Sequence, residues 1–198
     1  MVVLVAYATR HGATAGIAER IAADLCHSGV PSVAQPVHTV RDVRAFDAVV
    51  LGGAAYLSHW DQDATDFART YRVALRARPF WLFSSGPLGG DVVDVDSAGL
   101  LQTCRPKEFR ELSALVRAQG VQVFLGADDP RALPATVGEH RSALLPAGRA
   151  TPPAGDFRDW PDIDAWAAQI AAALACEHTG SQSMRGRVHT RHGPRLDA

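Results

Sequence analysis

Cysteine is scarce in this chain and forms no pattern. Cys26, Cys104 and Cys176 are odd in number and far apart, with no CxxC pair. That argues against a disulfide framework or a metal site, and for the reduced thiols of a cytoplasmic protein. Charge of one sign is missing too: 20 Lys and Arg face 21 Asp and Glu, a formal net charge of −1. Without a basic excess, no nucleic-acid partner is expected. No apolar run reaches the roughly 20 residues of a transmembrane helix, which leaves only peripheral membrane contact open. The opening strand has no basic flank, so no signal peptide is expected. No internal repeat is visible. What is there is an ordinary globular balance, 47% hydrophobic and 21% charged over 198 residues. That suffices for one well-buried domain and is short for two.

The chain declares its organisation at once. Val2 to Tyr7 is a continuous apolar run, the mark of a strand buried on both faces of a parallel sheet. Small and polar residues follow, Ala8-Thr9-Arg10-His11-Gly12-Ala13-Thr14. Then Ile17, Ile21 and Leu25 recur every four residues, with Ala18 and Ala22 beside them, which predicts an amphipathic helix. Strand, polar loop and helix together make an anion site. The first turn of a helix leaves N–H groups unpartnered, and its dipole adds positive charge there. Gly12 permits the tight turn, Thr9 and Thr14 offer hydroxyls, and Arg10 or His11 offers charge. The pattern is neither GxGxxG nor GxxxxGK[ST], and no lysine follows the glycine. It suits one small phosphate rather than a polyphosphate with magnesium.

Further strands are predicted at Ser32–Val40, interrupted by Pro36 and so at an edge, and at Asp47–Gly53, Phe80–Ser84 and Val121–Gly126. Helices are predicted over Asp61–Arg78, over Pro106–Gln119 with its stop at Gly120, and from Ile163 on, with Asp159 as N-cap and Trp166 buried. Alternating strands and helices imply an α/β fold with a doubly wound parallel sheet, and an edge strand beside the first fits the order 2-1-3-4-5. Ligands in such sheets lie beyond the carboxyl ends of the strands, where the order reverses. The turn Gly53-Ala54-Ala55-Tyr56-Leu57-Ser58-His59-Trp60 is therefore expected to face the loop at Gly12. Tyr56 and Trp60 would either stack on a ligand or cap the sheet. Ser84 to Asp91 is a second loop at a strand carboxyl end. Asp91, Asp94 and Asp96 lack calcium-loop spacing and read as a solvated acidic segment. Residues 128–155 read as a long loop. From Glu177 the chain turns polar and basic and is expected to be a disordered tail, so that the domain spans 1–176.

The loop Tyr7-Ala8-Thr9-Arg10-His11-Gly12-Ala13-Thr14, with Ala18 and Ile21 on the helix, resembles the phosphate loop of flavodoxins; Ala6 departs from it mildly. That family binds flavin mononucleotide (FMN). The resemblance implies FMN contacts from Thr9, Arg10, His11, Gly12, Ala13 and Thr14. It also implies contacts to the ring from Ala54, Ala55 and Tyr56, and from the second loop, Ser85, Gly86, Pro87, Leu88 and Gly89. Flavodoxins commonly place an aromatic in that second loop. This chain has none, which implies one ring face left open to a substrate. Gly52-Gly53-Ala54 with Tyr56 and His59, and the late Gly155-Asp156-Phe157-Arg158-Asp159-Trp160, resemble one branch in particular, the menaquinone-dependent protoporphyrinogen dehydrogenase type. The implied function is an FMN-dependent oxidoreductase working between a reduced, porphyrinogen-like substrate and a quinone-type acceptor. Electron-carrier flavodoxins are usually strongly acidic, unlike this chain. A carrier and a flavin-free binding domain are the alternatives. No Ser-His-Asp or Cys-His constellation offers a catalytic side chain; His11 and His59 are of a residue type that can carry protons, but a lone histidine in a loop is more often structural or solvent-facing.

Overall fold

Apolar side chains alternate along each strand, and that alternation sorts the core into two halves. The computed structural model describes residues 1–56, 59–86, 105–128 and 155–186. Strands β1 (Val3–Ala8), β2 (Ser32–Pro36), β3 (Ala48–Tyr56), β5 (Phe80–Ser85) and β6 (Gly120–Phe124) pair in parallel in the order β2-β1-β3-β5-β6. The short β4 (His59–Trp60) runs antiparallel on the end of β3. Leaving β4 aside, the order is the expected 2-1-3-4-5. A separate pair, β7 (Ala127–Asp128) and β8 (Gly155–Asp156), is antiparallel.

Val3, Val5, Val50, Trp81 and Phe83 point to one face, against α1 (Ala13–His27) and α5 (Trp160–Gly186). Leu4, Ala6, Val49, Leu51, Phe80 and Leu82 point to the other, against α2 (Gln62–Thr70), α3 (Arg72–Leu75) and α4 (Glu108–Val116). Helices on both faces explain why these strands read as unbroken apolar runs. The predicted stripe Ile17, Ile21 and Leu25 is fully buried, each side chain contributing about 1.5–3 kcal/mol. Trp166 is buried among Phe83 and Phe124 with edge-on ring contacts.

Several boundaries differ from the sequence reading. The strand expected over Ser32–Val40 stops at Pro36, and Val37–Thr39 form a short 3-10 helix. The segment after Gly53 is not an open turn: β3 continues to Tyr56 and folds back as β4. Its small residues serve the protein's own aromatics. A Cβ on Gly52 would stand 2.0 Å from the Phe83 ring, and one on Gly53 would stand 2.7 Å from the Trp60 indole. The helix expected over Asp61–Arg78 breaks at Tyr71 (φ −95°, ψ 12°), whose ring packs on Phe67 at 4.9 Å. Helix α4 ends not at Gly120 but at Arg117, a non-glycine residue at φ 57°, with the Ala118 N–H closing on the Ser113 carbonyl. Gly120 instead opens β6, where a Cβ would meet Trp81 at 2.8 Å. Finally, α5 runs past Glu177 to Gly186. Glu177 is itself held by the Gln119 amide at 2.7 Å, and a helix once begun adds a bond with each further residue. The acidic segment 91–104, most of the 128–155 loop and residues 187–198 lie outside the described residues.

Gly52→Ala tests the aromatic cover on β3. Overpacking against Phe83 predicts a loss of about 1–3 kcal/mol, measured as the shift of a urea unfolding midpoint at constant slope.

Candidate functional site

The carboxyl ends of β1, β3 and β5 gather at one edge of the sheet. Ala8 lies opposite Gly53, Gly53 opposite Ser84, and Ala54 opposite Ser85. Onto this edge comes the loop between β1 and α1. Gly12 is the N-cap of α1 at φ 85°, a left-handed backbone that a side chain resists. No side chain caps this helix and no carboxylate sits in its first turn. The first-turn N–H groups therefore have neither a helical acceptor nor a competing anion. A Cβ built on Gly12 would meet nothing within 4 Å among the described residues. The unpartnered N–H donors and the room beside Gly12 fit a small phosphate.

Thr9 and Thr14 do different work. The Thr9 hydroxyl accepts the Gly12 N–H at 3.0 Å and so shapes the turn. Thr14 is 1% exposed and shares a 2.6 Å hydrogen bond with the equally hidden Ser85 hydroxyl. That bond ties the start of α1 to the end of β5. The donors that remain for an anion are the backbone N–H groups of the first turn, Ala13 among them, rather than a free Thr14 hydroxyl. Arg10 reaches sideways to Asp61 (Nε to Oδ2, 3.4 Å), and Asp61 in turn caps α2 by accepting the Asp63 N–H. Arg10 is thus carried beside the loop rather than in front of it. His11 is part of the exposed rim.

Of the ring-facing residues, Ala54 and Ala55 lie at the end of β3, half-buried. The Ala54 carbonyl accepts the Asp61 N–H at 2.8 Å. Tyr56 pairs with His59 across the hairpin. Gly86 (φ 117°) packs its Cα where a Cβ would stand 2.9 Å from the Ala55 carbonyl, and its own N–H is spent on Phe124 at 2.9 Å. Pro87, Leu88 and Gly89 lie outside the described residues, as do Leu57 and Ser58. Trp60 is not a ring contact: its indole is buried, donates to the Gly53 carbonyl at 3.0 Å and meets Phe109 edge-on.

Two features were not legible beforehand. Glu108, at the start of α4, accepts from His59 Nδ1 (2.7 Å) and from the Trp60 N–H (3.0 Å). Burial pushes its carboxyl upward, but those two hydrogen bonds, together with one from its own backbone and the charge interaction with His59, hold Glu108 below the ordinary glutamate range. Nothing in the local sequence marks this pairing across 49 positions. The second is Arg158, held by both oxygens of Asp156 and lying 4.4 Å over the Trp160 ring. Its guanidinium fills the space above Gly16, where a Cβ would clash at 2.4 Å. Among the described residues no cluster of His, Cys, Asp and Glu is arranged to hold a metal ion.

Removing one hydroxyl of the buried pair strands the other. Thr14→Val and Ser85→Ala should each cost about 1–3 kcal/mol, and the double variant less than their sum, by about 1 kcal/mol in a denaturation cycle. Glu108 gives a pH prediction. Its folded value lies below the unfolded one, so its stabilisation is present above the ordinary value of 4.5 and fades as pH falls through the folded value. Glu108→Gln should therefore flatten the acid limb of a melting-temperature-against-pH profile.

Comparison with known proteins agrees with this geometry. The model of the flavodoxin domain matches residues 4–134. No curated protein matches the sequence. Solved structures share the fold. A flavodoxin from the domain Archaea superposes with a TM-score of 0.56 at 14% identity, over 88% of this chain and 99% of that one. A cysteine-to-serine variant of flavodoxin from Pseudomonas aeruginosa gives 0.54 at 16%, with the same coverage of both chains. Rubredoxin oxygen:oxidoreductase from Desulfovibrio gigas gives 0.55 at 11%, over 88% of this chain and 36% of that larger one. The family implies FMN as the cofactor, and the open, uncapped corner at Gly12 is suited to its phosphate. This chain belongs to the flavodoxin-domain family.

Proposed function

We propose that the protein is an FMN-dependent oxidoreductase that passes electrons from a reduced, porphyrinogen-like substrate to a quinone-type acceptor. The observation that carries the cofactor is the α1 N-terminus, with open space at Gly12 and no side-chain cap. Bound FMN would supply an isoalloxazine able to take a hydride or single electrons. The chain's own residues would do the rest. The first-turn N–H groups from Ala13 on would hold the phosphate. Thr9 would keep the turn closed, and Arg10 would add a positive field at the rim. The ends of β3 (Ala54 to Tyr56) and β5 (Ser85, Gly86), with Pro87, Leu88 and Gly89 beyond, would border the ring.

The near-zero net charge favours an enzyme. A carrier gains encounter rate from a strong field of one sign, and this chain has 20 basic against 21 acidic residues. The segment Gly155 to Trp160, with its Asp156–Arg158 ion pair, is the part that resembles the protoporphyrinogen dehydrogenase branch, and it motivates the substrate class. An electron carrier is the second reading, favoured by likeness over nearly the whole length of the archaeal flavodoxin. No described helix is long and apolar enough to cross a membrane, so a quinone dissolved in lipid would be met at the membrane surface from a cytoplasmic location.

The purified protein should be yellow, or become so with added FMN, and should reduce a soluble quinone in steady state without a partner protein. A colourless protein that cannot be reconstituted removes the flavin. Turnover only in the presence of a redox protein favours the carrier.

A further inference from the structure

His59 is 60% exposed in its side chain, yet its ring is not at liberty to turn. Nδ1 lies 2.7 Å from Glu108 Oε1, and Glu108 is itself fixed because Oε2 accepts the Trp60 N–H at 3.0 Å. An ionised carboxylate only accepts, so Nδ1 must carry the hydrogen and Nε2 is left facing away from the pair. The strap that presents it is pinned on every side. Trp60 is locked into the core beneath Gly53 and against Phe109, and Asp61 is bonded to Ala54 and to Arg10. A tether between β4 and α4 would need only the Glu108–Trp60 bond. The oriented imidazole is additional, and it sits on the carboxyl end of β3, one pairing step from Tyr56. That is the end of the sheet where a doubly wound fold takes its ligand.

We propose that His59 is a proton-transfer residue of the flavin site and that Glu108 is its positioning residue. This inference rests on the oxidoreductase reading given above. Reduction of a quinone-type acceptor to its hydroquinone takes two electrons and two protons. Bound FMN, when reduced, would supply the hydride equivalent, which leaves the second oxygen needing a proton. His59 in its imidazolium form gives that proton from Nε2. The N–H bond breaks as the new O–H bond forms, and solvent returns a proton to Nε2. Glu108 stays ionised throughout, balancing the imidazolium and fixing the ring.

The test uses the full-length protein with FMN and a soluble benzoquinone. FMN binding is followed by absorbance, and the histidine rings by long-range proton–nitrogen NMR correlation. On adding FMN to the apoprotein, the His59 ring signals should shift, while those of His27, at the far end of α1, should not. His59→Gln should keep FMN affinity within about threefold and lower kcat about 10²-fold, the usual worth of a positioned acid. His59→Ala should regain turnover with added imidazole, which no purely structural role would produce. Glu108→Gln should lower kcat about tenfold and leave KM unchanged, a loss of transition-state interaction alone. If FMN does not bind the wild-type protein, the oxidoreductase reading fails and takes this proposal with it. If FMN binds and quinone is turned over, but the His59 signals stay still or His59→Gln turns over within twofold of wild type, the proposal is overturned and the reading stands. Should His59→Gln fail to fold, the ring shift in the wild-type protein decides alone.

Discussion

A sheet buried on both faces has almost nowhere to keep a polar side chain, and this constraint organises the molecule. The buried polar or charged side chains among the described residues are Thr14, Asp61, Thr65, Ser84 and Ser85. All five stand at the carboxyl edge of the strands or in the first turns of the helices that leave it. Each buried hydroxyl or carboxylate demands a partner. Thr14 and Ser85 take each other, Asp61 caps α2, and Thr65 returns to the Asp61 carbonyl. Of these five, the Ser84 hydroxyl alone has no partner among the described residues. Polarity is thus pushed to one end of an otherwise apolar slab. The same end holds the uncapped N-terminus of α1, where the N–H groups most need an acceptor. A binding edge follows from the way the core is built.

The segment after β3 shows how such an edge is made rigid. Three consecutive residues each spend their polar atoms on a different element: His59 on α4, Trp60 on α4 and β3, Asp61 on β3, α2 and the Gly12 loop through Arg10. Individually these are modest interactions, several of them exposed and weakened by solvent. Together they leave the strap little freedom. Arg158 plays a comparable part on the opposite face, where Gly16 gives it room to lie across the start of α1, between Asp156 and the Trp160 ring.

The fold was legible because period and burial agree. Val2 to Tyr7, Ala48 to Gly53 and Phe80 to Phe83 are apolar at every position, as strands of a doubly covered sheet are. Ile17, Ile21 and Leu25 fixed the face of α1 in the same way, and Asp159 caps α5 as its residue type suggests, accepting the Asp162 N–H. The loop at Gly12 was legible as a tight strand-to-helix turn, and the glycine there takes the left-handed backbone that its residue type permits. What could not be read was pairing over long distances. Tyr71 interrupts a helix and lays its ring on Phe67. Arg117 takes a left-handed turn usually left to glycine, while the glycine three residues on is claimed by the Trp81 ring. Glu108 meets His59 only because α4 starts beside β4. Such contacts depend on where whole elements come to rest, and no local pattern encodes that.

The glycines of β3 make the same point about function. Gly52 and Gly53, at the ligand edge of the sheet, look like places where backbone meets a flat ring. Instead Phe83 covers one and Trp60 the other. An indole that donates to Gly53 from inside the core cannot also stack on a cofactor. Recognition of a ring at this edge therefore cannot come from Trp60. Among the described residues, what this edge leaves for a ring is the backbone at Ala54, Ala55 and Gly86. Because Gly86 has already given its N–H to Phe124, what it offers a ligand is close approach rather than a hydrogen bond. Among the described residues, the donors at this edge are concentrated at the first turn of α1, and few polar groups remain near Ala54, Ala55 and Gly86.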